Sequence, residues 1–381
     1  MRRVRHMRIM AIKEARKVAD TRVQVNKRLI DWALATTDLP SDVLADIQQR
    51  NKWLQVDFKH YLQPTVKQLG LFARRLHVPF GNLLMDEPPK EEDIRLAFRT
   101  REKVPAQVSL TLRDIIYEMQ RKQDWFKHES GVANQQLTFV GAARGASASE
   151  TQRMMARFIA LHHAESPRHL YKDQRAQLSQ LGVLNMQKGG AGFGTNRPLD
   201  VSEARAFVLL DDYAPLIFIN QKDSYTARIF SLIHEFGHIL HGTDELLMNL
   251  DSNKQEEQLI NKATTAFLMP EQDFILRVKE YNIRKAARFF NVSPLAAAIR
   301  AQGLGLIDHI VPEDFTEQPV ASMDSTGGNP YNNALSLNDN RYMNTLIAAQ
   351  ERGAVQPTEA ASLMGISYKM MDRTSQMFIA E

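Results

Sequence analysis

The sequence predicts an α+β protein that is mostly helical, with helical regions at both ends and one small mixed sheet between them. Three observations predict it. Apolar residues recur at helical spacing behind capping residues from residue 26 almost to the end of the chain. The β-rich stretches, LGVLNM (181–186) and RAFVLLDDYAPLIFIN (205–220), fall together near the middle. At 381 residues the chain is too long for one small core. The expected divisions are a basic N-terminal extension (1–20), a helical N-terminal domain (21–90), a central domain with its linker helices (91–310) and a C-terminal helical segment (311–381).

The helices are justified in order by their caps. Asn26 can cap KRLIDWALATTD, whose Leu29, Ile30, Trp32, Ala33 and Leu34 give an apolar face, and Ser41 can cap SDVLADIQQR. A third helix is expected over KWLQVDFKHYL, with Pro64 in the first turn of PTVKQLGLFARRLHV and PFGNLL closing the unit. The charged, proline-containing MDEPPKEEDIR then reads as a linker. Long amphipathic helices are predicted over 107–130 and 148–165, followed by the strands. GGAGFG at 189–194 reads as a loop between strands, because no GxGxxG register fits and no Lys-Ser/Thr closes a phosphate loop. Helices follow over 224–242 and 254–268, then a pair in IRKAARFFNVSPLAAAIRAQGLGL with the second capped by Ser-Pro. After a polar linker around 311–330, RYMNTLIAAQERGAVQPTEAASLMGIS reads as paired helices. No internal repeat is visible.

Composition narrows the function. With 44% apolar and 24% charged residues the chain is ordinary globular material. Its longest apolar runs, AFVLL and PLIFI, are far too short to cross a bilayer, so no membrane role is expected. The absence of cysteine excludes disulfides, thiolate metal sites and thiol nucleophiles together. Any metal must then be held by His, Asp or Glu, and a reducing, cytoplasmic setting is expected. Residues 1–100 hold 19 Lys/Arg against 12 Asp/Glu, a surplus of 7 in a chain of net charge +4. That is what a nucleic-acid contact needs, and equally what a solvated basic surface looks like. The opening MRRVRHMRIMAIKEARK lacks the apolar core of a secretory signal, and Met7 or Met10 is an alternative start.

Residues 230–241 read FSLIHEFGHILH. Positions four apart share a helix face, so His234 and His238 can aim nitrogens at one divalent cation at Zn–N distances of about 2.0–2.1 Å. Glu235, rotated by about 100°, suits a general base on a metal-activated water better than a ligand. Gly237 is expected to keep the helix face clear beside the metal. The flanking FSLI and IL predict a buried helix, where two imidazoles and a carboxylate call for a metal or a hydrogen-bond network. A catalytic zinc keeps three protein ligands and one open position. His241 shares the face but is only three residues from His238, a poor spacing for joint ligation. The better candidate is an acid from the next helix, EEQLINKATTAFLMP, where Glu257 and Asn261 are four apart.

HEFGH followed by E-x-x-x-N and LMP resembles the ImmA/IrrE family of metallo-endopeptidases. RAFVLLDDYAPLIFIN, VSPLAAAIRAQGLGLI, PTVKQLGLFARRLHVPFGNLLMDEPP and FRT at 98–100 resemble members carrying an N-terminal repressor-type helix-turn-helix. The resemblance implies Zn²⁺ held by His234, His238 and Glu257, with Glu256 as fallback, Glu235 as base, and a zincin-like peptidase domain behind a helix-turn-helix at 21–90. His241, Asn261 and Tyr331 are candidates for supporting the ligands or touching substrate, and Tyr281 and His309 are further candidates for stabilising an oxyanion. Ile260 and Ala263-Thr264, where members often carry other residues, are packing positions. QQRNKWLQVDFKHYLQ lacks the usual glycine turn, and Lys52, Gln55, Lys59 and His60 mix with Asp57, so DNA and a protein partner are alternatives for this domain. LIFIN is either a plain buried strand or an edge on which substrate adds a strand. The implied substrates are transcriptional repressors of mobile elements or stress responses, or antitoxins where relatives act as toxins. The competing class is a DNA-binding regulator whose zinc unit is structural or a sensor.

Overall fold

The computed structural model describes residues 21–37, 39, 41–55, 60–76, 78–89, 109–132, 135–162, 164–192, 197–243, 250–311, 315 and 329–380. The basic extension, the FRT stretch, part of GGAGFG and most of the 311–330 linker lie outside the described residues. Fifteen α-helices and five short strands are present among the described residues, and the chain forms two compact units, residues 1–94 with 106–113 and residues 95–105 with 114–381.

In the first unit, α1 (Lys27–Thr36) starts where Asn26 accepts the Arg28 N–H, and α2 (Ser41–Arg50) starts at Ser41. The helix expected over 52–62 does not form. Among the described residues of that stretch, Lys52–Gln55 form a 3-10 turn and Tyr61–Leu62 form β2, paired antiparallel with β1 (Val25–Asn26). The physical reason is competition for Trp53 and Leu62. Trp53 is buried edge-on against Phe72 at 5.1 Å and donates to Asn51, while Leu62 enters the core through the strand pair. His60 turns the chain between them with a φ of 79°. Nor does Pro64 open the next helix. Thr65 caps α3 (Val66–Leu76) in a reciprocal pair with Gln68, at 2.8 and 3.2 Å, and the Pro64 carbonyl instead accepts from Val23. Leu69, Phe72, Ala73 and Leu76 then bury the α3 face against Val25, Ile30, Ala33 and Ile47.

In the second unit a three-stranded sheet carries the order β3–β5–β4, from β3 (Leu184–Lys188), β4 (Ala206–Leu209) and β5 (Leu216–Asn220). β5 runs parallel to β3 and antiparallel to β4, which makes it the mixed sheet expected. LIFIN is therefore the central strand, with both edges paired, and it has no free edge for a substrate strand. The outer edge of β3 is also covered, because Gln187 N–H donates to Leu337 O at 2.8 Å and Asn185 N–H to the Asp339 carboxylate at 3.3 Å.

Helices α4 (Leu110–Ser130, in this unit from Asp114), α5 (Ala148–Phe158) and α6 (Pro167–Leu181) precede the sheet. Helix α7 (Tyr225–His241) packs on β4 and β5, α6 packs on α7 and β3, and α8 (Leu250–Leu268) packs on α5 and α7. Beyond them come α9 (Glu271–Glu280), α10 (Ile283–Phe289) and α11 (Pro294–Gly303), the last two capped by Asn282 and Ser293. The C-terminal helices are α12 (Pro330–Ser336), α13 (Asn340–Glu351), α14 (Pro357–Met364) and α15 (Tyr368–Ala380). The core joins Phe139 and Met155 to Ile217, Ile219, Ile233 and Phe236, and to Phe267 and Phe274 on α8 and α9.

One charged cluster lies inside this unit. Glu118 on α4 bridges Lys122 at 3.0 Å and Lys188, the last residue of β3, at 2.5 Å. Burial pushes the Glu118 carboxyl up, but Lys122 and Lys188 outweigh it and hold it at about 2, below the ordinary 4.5. A carboxyl depressed in the folded state contributes stability above its unfolded value and loses it as pH falls through the folded one. The gap corresponds to about 3 kcal/mol. Denaturant titrations from pH 5 to 2 should therefore show wild type losing stability across that window, and Glu118→Gln starting lower and losing less.

Candidate metal centre

Helix α7 is built to be buried. Ser224 accepts the Ala227 N–H at its start, and every residue from Ser231 to His241 is buried. Gly242, at a left-handed φ of 61°, ends it by returning its N–H to His238 O. A segment the sequence reading left unassigned completes that end. Gly141 N–H donates to Ile239 O at 3.0 Å and Ala143 N–H to Leu240 O at 2.7 Å, so the last turn is fixed without water.

Gly237 serves packing, not metal clearance. A Cβ there would lie 2.6 Å from Ile260 Cγ2 and 2.9 Å from Met155 Cε, so its bare face admits α8 and α5. That close approach is what brings the α8 carboxylates to the imidazoles. Gly237→Ala gains about 1 kcal/mol of helix propensity and loses about 1–3 to overpacking. We expect a lower melting temperature and weaker metal uptake, both smaller in an Ile260→Ala background, measured as a double-mutant cycle.

The structure brings His234, His238 and Glu257 together. Their ligand atoms lie within 4.8 Å of one another. The two Nε2 atoms are 3.0 Å apart, Glu257 Oε1 is 2.8 Å from His238 Nε2, and Oε2 is 3.4 Å from His234 Nε2. Two donors at 2.0–2.1 Å from one tetrahedral ion lie about 3.3 Å apart. Two imidazole nitrogens and a carboxylate at these separations fit Zn²⁺, and three donors leave a fourth position open. The imidazoles are almost fully buried, whereas Glu257 is 25% exposed, so the cluster opens to solvent on the α8 side. Burial raises the Glu257 carboxyl, but hydrogen bonds from both imidazoles hold it well below the usual carboxylate range. It is therefore a charged donor. Phe230, one turn earlier, lies near-parallel to His234 at 6.3 Å between ring centres. Glu235 is buried beside His234 on the same helix.

The neighbouring candidates separate on the same geometry. Glu256 turns to Thr243, accepting its hydroxyl at 2.6 Å, and lies 3.8 Å from His241 Nδ1. His241 Nε2 sits 2.9 Å from the Thr151 hydroxyl on α5, so both of its ring nitrogens face groups outside the donor trio. Burial pushes the His241 imidazole down and so favours the neutral ring, and Glu256 opposes it. Asn261 follows Glu257 by one turn, half-buried. Tyr331 packs under the Arg373 guanidinium at 4.5 Å, Tyr281 is half-exposed beside Lys285, and His309 is exposed. None of those last three is brought to the donor trio by a contact among the described residues. Thr151 was not anticipated. The Ser147–Glu150 capping pair, legible as S-x-x-E, marks the start of its helix.

Two packed helices over a small mixed sheet, offering two imidazoles and a carboxylate with no sulfur, make a metallopeptidase-like domain. Residues 190–302 match the Peptidase_M78 family model, described as the IrrE N-terminal-like domain. That span runs from before β4 to the end of α11 and contains His234, Glu235, His238 and Glu257. No curated protein matches the chain. No helix of the described residues is long and apolar enough to cross a membrane.

Proposed function

We propose that the chain is a zinc-dependent endopeptidase that cuts a specific protein partner of the repressor or antitoxin type. The observation that carries the reading is the convergence of His234, His238 and Glu257 within 4.8 Å, with Glu235 next to His234 on the same buried helix. His234, His238 and Glu257 would hold the ion. A bound Zn²⁺ would supply Lewis acidity there, to a water and to the scissile carbonyl. Glu235 would accept the proton of the attacking water and deliver it to the leaving amine, a general-base and general-acid role. Glu256, His241 and Thr151 position α8 and α5 against α7, which keeps Glu257 aimed at the imidazoles.

The partner class rests on the resemblance to ImmA/IrrE proteins. Residues 21–90 hold 10 Lys/Arg against 7 Asp/Glu, so charge alone gives little support to a second reading, DNA binding through that region. Incubating the zinc-loaded protein with the product of the adjacent gene and recording intact masses tests the main reading. A single cut that stops on chelation supports it, and a cut that survives complete metal removal counts against it.

A further inference from the structure

The last helices of the chain carry a surface of a different kind, and none of its residues belongs to the metal centre. Helices α14 (Pro357–Met364) and α15 (Tyr368–Ala380) are joined by three residues, Gly365, Ile366 and Ser367. Gly365 takes a left-handed φ of 76°, and the Ile366 N–H returns to Ala361 O at 3.1 Å, which turns the chain sharply out of α14. Asn338 Nδ2 donates to Met364 O at 2.9 Å and the Tyr342 hydroxyl to Leu363 O at 3.1 Å, so the turn is fixed from α13 and the residues before it. Two helices across a three-residue turn that contains glycine are the layout of a helix-turn-helix.

Burial follows that layout. Ala360, Ala361, Met364, Ile366, Met371 and Thr374 are buried, and α15 packs on α14. The other side of α15 is exposed. Tyr368, Lys369, Asp372, Arg373 and Gln376 all lie on it, spaced along one helix face. Their chemistry suits base edges: Lys369 and Arg373 match guanine O6 and N7, Gln376 matches adenine N6 and N7, and Asp372 can accept from cytosine N4. Arg373 is braced by the Tyr331 ring at 4.5 Å. The 13 residues of α15 rise about 20 Å, and a helix of this kind fits the major groove, about 12 Å wide.

Elsewhere the layout lacks that chemistry. Helices α10 and α11 also meet at a short turn, with Asn291 at a φ of 56°. The matching positions of α11 are Pro294, Leu295, Ala298, Ile299 and Gln302, of which Gln302 alone can hydrogen-bond a base. After α3 the described chain forms a 3-10 turn, Phe80–Leu84, where a second helix would stand.

We propose that α15 is a recognition helix that enters the major groove of double-stranded DNA, with Lys369, Arg373 and Gln376 reading base edges. The exposed acids Asp372 and, on α14, Glu359 limit non-specific attraction, so base contacts carry more of the affinity than phosphates do. Two cations imply a slope of log K against log salt of only about −2. This contact is separate from residues 21–90 and does not depend on the peptidase reading.

Selection by the full-length protein from a pool of DNA duplexes with a randomised core, at low salt, tests it. The enriched duplex and a shuffled one are then titrated by fluorescence anisotropy. We expect the enriched duplex to bind at least about tenfold more tightly than the shuffled one, and Lys369→Gln and Arg373→Gln each to remove about tenfold of that preference. Both residues are exposed, so both variants should keep the wild-type melting temperature. A pool from which no duplex is enriched overturns the proposal. So does an enriched duplex that both variants bind as tightly as wild type, since the DNA would then sit elsewhere on the chain.

Discussion

Glu235→Gln should lower peptide-bond cleavage by two to four orders of magnitude while leaving zinc content and melting temperature close to wild type. The size follows from what a positioned general base contributes, roughly 10²–10⁴-fold. The amide keeps the volume of the carboxylate inside a buried helix and removes its basicity, so folding and ligation are spared and proton transfer is not. Glu235 is 6% exposed and adjoins His234 on the same buried helix. Single-turnover cleavage with zinc measured on the same samples checks it. A Gln variant that cuts at the wild-type rate would remove Glu235 from the chemistry.

The second large effect separates two adjacent acids. Glu257→Ala should lose zinc at concentrations where wild type is saturated and lose cleavage with it, because two imidazoles remain where three donors are needed. Glu256→Gln should keep zinc. Glu256 faces Thr243 and His241, not the imidazole pair, so its loss loosens the α7–α8 contact and lowers affinity about 10- to 100-fold at most, as removing a supporting group around a metal ligand typically does. Competition titration with a zinc indicator reads both. If Glu256→Gln lost the metal and Glu257→Ala kept it, the ligand assignment would be reversed.

That pair also shows where sequence reading stops. His234 and His238 are legible because a helix places residues four apart on one face, a local rule. The same holds for the caps Asn26 and Ser293, each of which accepts the N–H expected. Glu256 and Glu257 are neighbours on one helix, and only the packing of α8 on α7 decides which faces the imidazoles. That packing turns on Gly237, Ile260 and Met155, residues from three helices. LIFIN reads as a strand from its composition, but its central place depends on β3 and β4 pairing from both sides, which no local pattern encodes. The stretch from Lys52 to Leu62 has helical spacing, yet its Trp53 and Leu62 are claimed by tertiary partners and the helix does not form. Helix α6 (PRHLYKDQRAQLSQL) passed unread because its polar residues dilute the apolar stripe, although Ser166, Pro167 and Gly182 bracket it.

A metal held between α7 and α8 underlies the enzymatic reading. Elemental analysis of the purified full-length protein, before and after zinc reconstitution and beside His238→Ala, is the direct test. One tightly held zinc per wild-type chain and none in the variant is the predicted result. Wild-type protein that is metal-free as purified and takes up no zinc on reconstitution would contradict it.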